Sequence, residues 1–298
     1  MIYTVTFNPA LDYVIHLDKL EQGETNRCYG EELYFGGKGV NVSLVLRELG
    51  KENTALGFVA GFTGAALEEN LRAQGISAEF IHLKEGLTRI NVKLKADRET
   101  EINAQGPAID DEALQALFAK LDTLVEGDTL VLAGSIPATL PADIYEKILA
   151  RLQGKGIRFV VDATGKLLMN VLKYNPFLIK PNHRELEELV GRPLNGSAEI
   201  AAGAKELQVL GARNVLISRG KDGALLLDEN GKVSELPAVG GKPVNTVGAG
   251  DSMVAGFIAG VEQGYEYALK LGSAAGGATA CQAGLAKAAD IQRLLKEI

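Results

Sequence analysis

Apolar residues follow two different periods along most of the chain. Short apolar and β-branched runs, typical of buried strands, occur at 2–7, 54–60, 78–83, 129–133, 159–162, 177–180, 215–219 and 224–228. Segments with apolar residues every three or four positions predict helices at 40–49, 65–73, 110–124, 143–152, 198–210, 251–263, 267–282 and 288–296, the fifth with Ser197 as its N-cap. This alternation predicts an α/β fold whose parallel sheet is covered on both faces. The ligand site of such a sheet lies at the carboxyl ends of its strands, where we place Asp12, Ser135, Asn182 and Gly220.

The alternation breaks in two regions. Predicted strands at 13–17 and 27–35 have no helix between them, and the same holds for the pair at 88–96 and 101–104. The second pair carries polar residues at alternate positions, which is typical of a sheet with one solvated face. We therefore expect a small separate sheet built from segments about 12–35 and 88–104.

The composition limits the possible functions. The chain has 298 residues, of which 46% are hydrophobic, so it can bury the core of one large domain or of one domain with an appendage. A formal net charge of -7 argues against broad binding to nucleic acid or anionic membranes. No apolar run reaches the length of a membrane span, and no signal peptide is evident. Because the two cysteines cannot form a disulfide framework, we expect a cytoplasmic protein with reduced thiols.

A glycine-rich turn near the C-terminus has the features of an anion site. Gly248 and Gly250 permit a sharp turn, and an apolar run with helical spacing begins at Met253. Unpaired N–H groups and a partial positive charge at a helix N-terminus favour a bound anion. Asp251 lies in the first turn, where it could take a proton from a hydroxyl group that attacks phosphorus. An ordinary turn with a capping aspartate is the alternative.

A second glycine-rich turn, at 36–41, precedes the first predicted helix. Its amides and the Lys38 ammonium could hold a phosphate or sugar hydroxyls, although a tight turn with a solvated lysine is the alternative. The turn is not a dinucleotide fingerprint, because Val42 stands where the third glycine belongs. It is not a P-loop either, because no Gly-Lys pair is followed by Ser or Thr at the required spacing.

Three further segments carry polar residues of interest. Arg89 lies on a predicted strand, and its planar guanidinium matches phosphate oxygens, although an arginine on a strand is more often solvated. Asn182 and Glu185 share one face at the start of a helix, a pattern that is usually a capping arrangement. Residues 218–224 connect two apolar strands and indicate a hairpin.

These motifs together resemble the ribokinase-like carbohydrate kinases, also called the PfkB family. The resemblance spans the chain in order, from Asn8–Asp12 through Gly36–Asn41 and Lys180–Glu185 to Thr246–Ser252. The segment Thr88–Leu94, with the sequence Thr-Arg-Ile-Asn-Val-Lys-Leu, is similar to the 1-phosphofructokinase branch of that family. The implied fold is a three-layer α/β/α sandwich with a mostly parallel central sheet and a small β-sheet lid.

The resemblance implies a role for each motif. Asp251 would be the catalytic base, and the amides of Gly248, Ala249 and Gly250 would hold the γ-phosphate. The substrate-binding set would comprise Asp12, Arg27, Gly37, Lys38, Asn41, Arg89 and Ser135, with Arg27 able to reach the ligand across a dimer interface. The ATP-binding set would comprise Lys180, Asn182, Ser218, Gly220, Lys221, Gly223 and Gly250, next to an unusually large Arg219. Asn182 and Glu185 would order Mg²⁺ through water.

The implied reaction is ATP-dependent phosphorylation of fructose 1-phosphate to fructose 1,6-bisphosphate. Tagatose 6-phosphate and fructose 6-phosphate are the alternative acceptors, and a homodimer that pairs through the lid is implied as well. Two other classes compete with this hypothesis. A nicotinamide-dependent oxidoreductase lacks a complete fingerprint, and a non-catalytic sugar-phosphate sensor would have no need of Asp251. With 6% aromatic residues and no tryptophan, nothing predicts a nucleic-acid stacking platform.

Overall fold

The computed structural model describes residues 1–298 and contains two sheets. The strands are β1 (Ile2–Thr6), β2 (Ala10–His16), β3 (Gly30–Gly36), β4 (Asn53–Val59), β5 (Ser77–Ala78), β6 (Ile81–His82), β7 (Arg89–Lys95), β8 (Thr100–Asn103), β9 (Thr129–Ala133), β10 (Arg158–Asp162), β11 (Leu178–Ile179), β12 (Asn214–Ser218), β13 (Ala224–Leu227) and β14 (Val233–Leu236). The helices are α1 (Lys38–Glu48), α2 (Gly61–Ala73), α3 (Asp111–Asp122), α4 (Ile144–Leu152), α5 (Gly165–Val171), α6 (His183–Val190), α7 (Gly196–Val209), α8 (Ala249–Gly260), α9 (Tyr265–Ala280) and α10 (Ala288–Leu295).

The main sheet has ten strands in the order β14-β13-β12-β11-β10-β9-β1-β4-β5, with β6 also paired to β4. Every pairing from β12 to β5 is parallel, whereas β13 and β14 form an antiparallel edge. The antiparallel edge begins with the hairpin expected at 218–224. Parallel strands need crossover connections, and the helices supply them.

Helices cover both faces of the main sheet. Along β9, Leu130 and Leu132 point into a core of 36 buried residues that includes α3, α4, α5, α6 and α7. Val131 and Ala133 point the opposite way, into a core of 26 buried residues with α1, α8, α9 and α10. Successive side chains of a strand alternate between faces, so these two cores require three layers. The predicted fold class is confirmed.

The small sheet has the order β3-β2-β7-β8 and comes from the two regions where the alternation breaks. β2 runs antiparallel to β3 and parallel to β7. The pairing register aligns side chains in rows across the strands, and rows on opposite faces differ in polarity. One row is polar and contains Tyr34, Asp12, Asn91 and Asn103; the next, on the other face, is apolar and contains Leu33, Tyr13, Val92 and Ile102.

Several local predictions were wrong. Helix α5 and strand β14 were not predicted, and β11 is only two residues long. Asp12 lies inside β2 instead of following a strand of the main sheet. The N-cap of α7 is Asn195, and Ser197 lies inside the helix, where its hydroxyl accepts a hydrogen bond from Arg219 at 3.1 Å. No helix combines the length and apolarity needed to cross a bilayer.

Candidate active site

A cleft of about 1030 Å³ opens at the carboxyl edge of the main sheet and beneath the small sheet. With one exception, every predicted site residue lines it: Asp12, Gly37, Lys38, Asn41, Arg89, Ser135, Lys180, Asn182, Glu185, Ser218, Gly220, Lys221, Gly223, Gly248, Ala249, Gly250 and Asp251. The exception is Arg27. It is exposed in the connection between β2 and β3, since β3 begins only at Gly30, and the prediction that it lies on a strand was wrong.

The first turn of α8 forms one wall of the cleft. Gly248 is the N-cap and has a φ of 81°, and a Cβ there would come within 2.6 Å of the Leu285 side chain. Only glycine fits both constraints. Ala249 N donates to Thr246 O at 3.2 Å, whereas the N–H groups of Gly248, Gly250 and Asp251 have no partner in the protein. Free N–H donors therefore face the cleft at the positive end of a helix dipole.

Asp251 is a buried carboxylate next to these donors. It is 5% exposed, and its Oδ2 accepts a hydrogen bond of 2.8 Å from Asn41 Nδ2 on α1. Burial is the main cause that raises the pKa of Asp251 to about 6, and repulsion from Asp162 adds to it. Asn41, Lys38 and Lys180 act in the opposite direction. A carboxylate with this pKa ionises just below neutral pH, which suits a general base.

Asp162 joins two lysines at the floor of the cleft. Its Oδ2 lies 3.3 Å from Lys38 Nζ and its Oδ1 lies 3.5 Å from Lys180 Nζ. Burial acts to raise the pKa of Asp162, but the two ammonium groups outweigh burial and lower it. For Lys38, burial acts to lower the pKa, while Asp162, Asp251 and Glu185 together raise it. Sequence analysis missed Asp162, although it ends a predicted buried strand at the carboxyl edge.

The small sheet contributes a second group of polar side chains. Asn91 Nδ2 donates to Asp12 Oδ1 at 2.8 Å, and Asn91 Oδ1 is buried without a partner. The Arg89 Nε is likewise buried without a partner, and burial lowers the pKa of Arg89. Lys93 follows on the same face and pairs with Glu101 at 2.8 Å. Asn91 was missed as a site residue, although it alternates with Arg89 on the predicted strand.

Asn182 and Glu185 form a capping box at the start of α6. Asn182 Oδ1 accepts from Glu185 N, and Glu185 Oε2 accepts from Asn182 N, each at 2.8 Å. This is the capping arrangement that the spacing left open, and both side chains also line the cleft. The structure brings no three His, Cys, Asp or Glu side chains together as a metal centre. A Mg²⁺ ion here would use few protein ligands and would rely on water and phosphate oxygens, as Mg²⁺ commonly does.

The hairpin between β12 and β13 closes the far end of the cleft. Gly220 and Gly223 have φ values of 56° and 87°, and a Cβ on Gly223 would lie 2.0 Å from Leu236 O. Arg219 does not reach into the cleft: its Nη2 pairs with Glu235 at 2.8 Å and donates to Asp222 O. Its large side chain therefore ties the hairpin to β14.

Small residues let α8 and α9 pack closely. A Cβ on Gly272 or Gly276 would come within about 3 Å of a carbonyl oxygen of α8, at Met253 or Ala249. Close helix packing thus explains these glycines. Ser273, between them, lines the cleft, and its buried Oγ has no partner. An unpaired buried hydroxyl in a cleft wall leaves a hydrogen bond available to a ligand.

Comparison with known proteins gives a family match over most of the chain. The family model described as "pfkB family carbohydrate kinase" matches residues 5–292. The 1-phosphofructokinase of Bacillus subtilis is 45% identical over 301 residues, which cover 100% of this chain and 98% of the relative. The D-tagatose-1-phosphate kinase of Bacillus licheniformis is 39% identical over 301 residues, covering 100% and 98%.

Among solved structures, phosphofructokinase-2 from Escherichia coli in complex with substrates and products superposes with a TM-score of 0.93. It is 28% identical, and the match covers 99% of this chain and 98% of that one. The likeness includes both the main sheet and the small sheet. By its sequence and its fold, the chain belongs to the pfkB family of carbohydrate kinases.

Proposed function

We propose that this kinase transfers the γ-phosphoryl group of ATP to the 6-hydroxyl of fructose 1-phosphate and yields fructose 1,6-bisphosphate. The chain is a phosphotransferase with an alcohol acceptor, as its family membership shows. The observation that carries the proposal is the juxtaposition of a buried carboxylate, Asp251, with free N–H groups at the start of α8 in a cleft that also holds Lys38 and Arg89. Phosphoryl transfer to an alcohol that already carries a phosphate needs a base, an anion site and cations, and the cleft contains all three.

Asp251 would act as the general base. Its Oδ2 is held by Asn41, which leaves Oδ1 to accept the proton of the attacking hydroxyl. At neutral pH the carboxylate is ionised, because its pKa of about 6 lies below that pH. The donors of Gly248 and Gly250 would stabilise charge on the phosphoryl oxygens as the new P–O bond forms. Ala249 contributes the backbone of the turn, while its own N–H is used within the turn.

Two parts of the cleft would hold ATP. The Lys180 ammonium, 6% exposed, lies against the first turn of α8, where it would contact the phosphates. Ser218, Gly220, Lys221 and Gly223 would bind the rest of the nucleotide at the hairpin. The residues also fit a Mg²⁺ ion, because Asn182 and Glu185 line the cleft and Glu185 Oε1 is not used by the capping box. When bound there, Mg²⁺ would neutralise phosphate charge.

The acceptor would lie between α1 and the small sheet. Asp12 and Asn41 could bind sugar hydroxyls, with Gly37 and Ser135 close to the same end. Lys38 and Arg89 would grip the phosphate that the acceptor already carries, and the orphaned Nε of Arg89 is available for such a contact. Loss of one charge-assisted contact costs roughly 1.5–3 kcal/mol, or about 10–150-fold in kcat/KM. Free fructose should therefore be a poor acceptor.

The second candidate acceptor is tagatose 1-phosphate, because a relative named as its kinase aligns over the full length. The test is a coupled assay of ADP release with purified protein. It compares kcat/KM for fructose 1-phosphate, tagatose 1-phosphate, fructose 6-phosphate, tagatose 6-phosphate and free fructose. We expect fructose 1-phosphate to lead. A lead of about tenfold by another ester would overturn the substrate but not the mechanism, whereas preference for free fructose would overturn the roles of Lys38 and Arg89.

We also infer that the protein forms a homodimer through the small sheet. The outer row of that sheet exposes Leu33 by 48% and Ile102 by 58%. Apolar residues aligned across four strands, of which those on the two outer strands are exposed in one chain, are typical of an interface. Arg27 lies just before β3 of the small sheet and does not line the cleft of its own chain. A contact between Arg27 and a ligand would therefore be made in the cleft of a partner subunit.

A further inference from the structure

Thr88 lies immediately before strand β7, where the small sheet connects to the rest of the chain. It is 1% exposed and does not line the cleft, whereas Arg89, the next residue, does. All three of its polar groups form hydrogen bonds with the start of α2. Thr88 N donates to Ala60 O at 2.9 Å, Thr88 Oγ1 accepts from Ala60 N at 2.9 Å, and Thr88 O accepts from Thr63 Oγ1 at 2.8 Å. Since Ala60 directly follows β4, these bonds attach β7 to the main sheet.

The first turn of α2 is shaped to receive Thr88. A Cβ on Gly64 would lie 2.9 Å from Thr88 Oγ1, and a Cβ on Gly61 would collide with the side chain of Leu87. Glycine at both positions therefore lets the helix approach residues 87–88 closely. Ala60 is the N-cap of α2 and has no side-chain oxygen that could cap the helix. The Thr88 hydroxyl instead accepts from the N-cap N–H, as the third helical residue does in a capping box.

Arg89 depends on this attachment because no other side chain holds its guanidinium. Its Nε is buried without a partner, and Asp12 attracts the group without forming an ion pair with it. Lys38, the other cation proposed for the acceptor phosphate, is by contrast held by Asp162 at 3.3 Å. The placement of the Arg89 side chain is therefore set by the backbone of β7, which begins at this residue.

We propose that Thr88 is a positioning residue that holds Arg89 at the phosphate of the acceptor by fixing the start of β7 to α2. This inference rests on the kinase function proposed above. A long arginine side chain loses conformational entropy when it binds, and a fixed backbone at its root reduces the further ordering that binding requires. The phosphate that the acceptor already carries does not react, so this contact stabilises substrate and transition state alike. Weakening it should raise KM for the sugar phosphate and leave kcat nearly unchanged.

The test is Thr88→Val, which keeps the shape of the side chain but leaves the buried N–H of Ala60 without its acceptor. We expect KM for fructose 1-phosphate to rise about tenfold, with kcat and KM for ATP within about twofold of the wild type. General damage to the fold would instead lower kcat and weaken ATP binding as well. Thr88→Ser keeps the oxygen and should restore KM to within about twofold of the wild type.

Thr4→Val is the matched control. Thr4 is fully buried in β1, and its hydroxyl forms a hydrogen bond of 2.7 Å with Ser43 Oγ. Neither residue lines the cleft. This variant loses a buried hydrogen bond of the same kind, so we expect lower stability but an unchanged KM for the sugar phosphate.

A double-mutant cycle tests whether Thr88 acts through Arg89. In an Arg89→Met background, Thr88→Val should change KM by less than about twofold, because the group that it positions is gone. Thr63→Val removes the bond to Thr88 O and should also raise KM, so it serves if Thr88→Val does not fold. An unchanged KM, a fall in kcat as large as the rise in KM, no rescue by Thr88→Ser, or the full effect in the Arg89→Met background would each overturn the proposal.

Hydrogen exchange separates this proposal from the proposed function. Backbone amides of β7 should exchange faster in Thr88→Val than in the wild type or in Thr88→Ser, whichever acceptor the kinase uses. Equal exchange in all three proteins would overturn the role of Thr88. If another sugar phosphate is the preferred acceptor, KM is measured with that ester. Should the wild type phosphorylate no sugar phosphate, the proposed function fails, while hydrogen exchange still decides whether Thr88 holds β7.

Discussion

Asp251, the proposed general base, is a residue that would favour catalysis and oppose folding. Its pKa is about 6 in the folded chain, above the ordinary value of 3.8 for an aspartate. The folded state thus binds the proton more tightly than the unfolded state does. Stability is lost as pH rises from about 4 to about 6, and at neutral pH the ionised group opposes folding by roughly 2–3 kcal/mol.

Replacement of Asp251 by Asn should therefore separate activity from stability. The amide keeps the shape and a hydrogen bond to Asn41 but removes the base and the buried charge. We expect kcat to fall by about 10²–10⁴-fold, the usual contribution of a general base. The free energy of unfolding, measured by urea denaturation at pH 7, should rise by roughly 1–3 kcal/mol. Retention of nearly full kcat would remove Asp251 from the mechanism.

The same pKa predicts the pH dependence of the reaction. The base must be ionised to accept a proton, so kcat/KM should rise as pH increases, reach half of its plateau near pH 6 and level off about one pH unit higher. Initial rates measured from about pH 5 to about pH 8 would show this limb, with circular dichroism at each pH to confirm that the protein stays folded. A limb near the ordinary aspartate value would mean that the carboxylate is solvated during turnover.

Sequence reasoning found the residues whose chemistry is visible in a short stretch. Gly248, Gly250 and Asp251 are close together in sequence, so the turn and its charge can be recognised without a structure. Asp162 and Asn91 were missed because their partners are remote: 124 positions separate Asp162 from Lys38, and 79 separate Asn91 from Asp12. A lone carboxylate on a strand carries no signal until the fold places a lysine beside it.

At the scale of elements, α6 combines a structural and a proposed catalytic role. The capping box fixes the first turn of the helix, and the same two side chains line the cleft. Glutamine can replace glutamate in a capping box, because its carbonyl oxygen still accepts from the N-cap N–H. Glu185→Gln therefore removes the charge with little effect on the helix.

For Glu185→Gln we expect the Mg²⁺ concentration that gives half-maximal rate to rise about tenfold or more, with KM for the sugar phosphate nearly unchanged. The measurement is a Mg²⁺ titration at saturating sugar and ATP. Glu188→Gln, on the exposed face of the same helix, is the matched control, because Glu188 pairs only with Arg184. Equal Mg²⁺ dependence in the two variants would leave Glu185 with a capping role alone.

Helices and strands were predicted well where the apolar pattern is strong and poorly where it is weak or brief. The bounds of β9 match the prediction, and α9 and α10 lie within about two residues of theirs, because their apolar positions are numerous. Helix α5 has only seven residues, of which Leu168 and Val171 are buried, so its pattern is too brief to read. Strand β14 alternates exposed and half-buried positions over four residues, which an irregular loop could also do.

At the scale of the molecule, the small sheet separates two functions between its faces. The polar row with Asp12 and Asn91 faces the cleft, and the apolar row with Leu33 and Ile102 lies on the opposite side. A strand alternates its side chains, so one register serves both faces, and a shift by one residue would exchange them. Site and proposed subunit interface are thus fixed by the same strand pairing.

The double variant Leu33→Asp and Ile102→Asp should therefore convert the proposed dimer into a monomer. Each charge would have to be buried on an apolar interface, at a cost that a small contact cannot offset. Light scattering coupled to size-exclusion chromatography measures the mass directly. Val209→Asp, at an exposed apolar residue on α7, is the control and should leave the mass unchanged. A wild type that is already monomeric would contradict the dimer.

The placement of Asp251 so late in the chain has a consequence for synthesis. Lys38 and Arg89, proposed to grip the phosphate of the acceptor, come early in the chain, and Asp162 and Lys180 follow, while α8 and α9 come last. Those two helices also supply much of the 26-residue core that covers one face of the main sheet. The ribosome therefore synthesises the proposed base and the helices that cover this face of the sheet in the same final stretch. A chain released early would lack both the base and a closed core, so it could not use ATP.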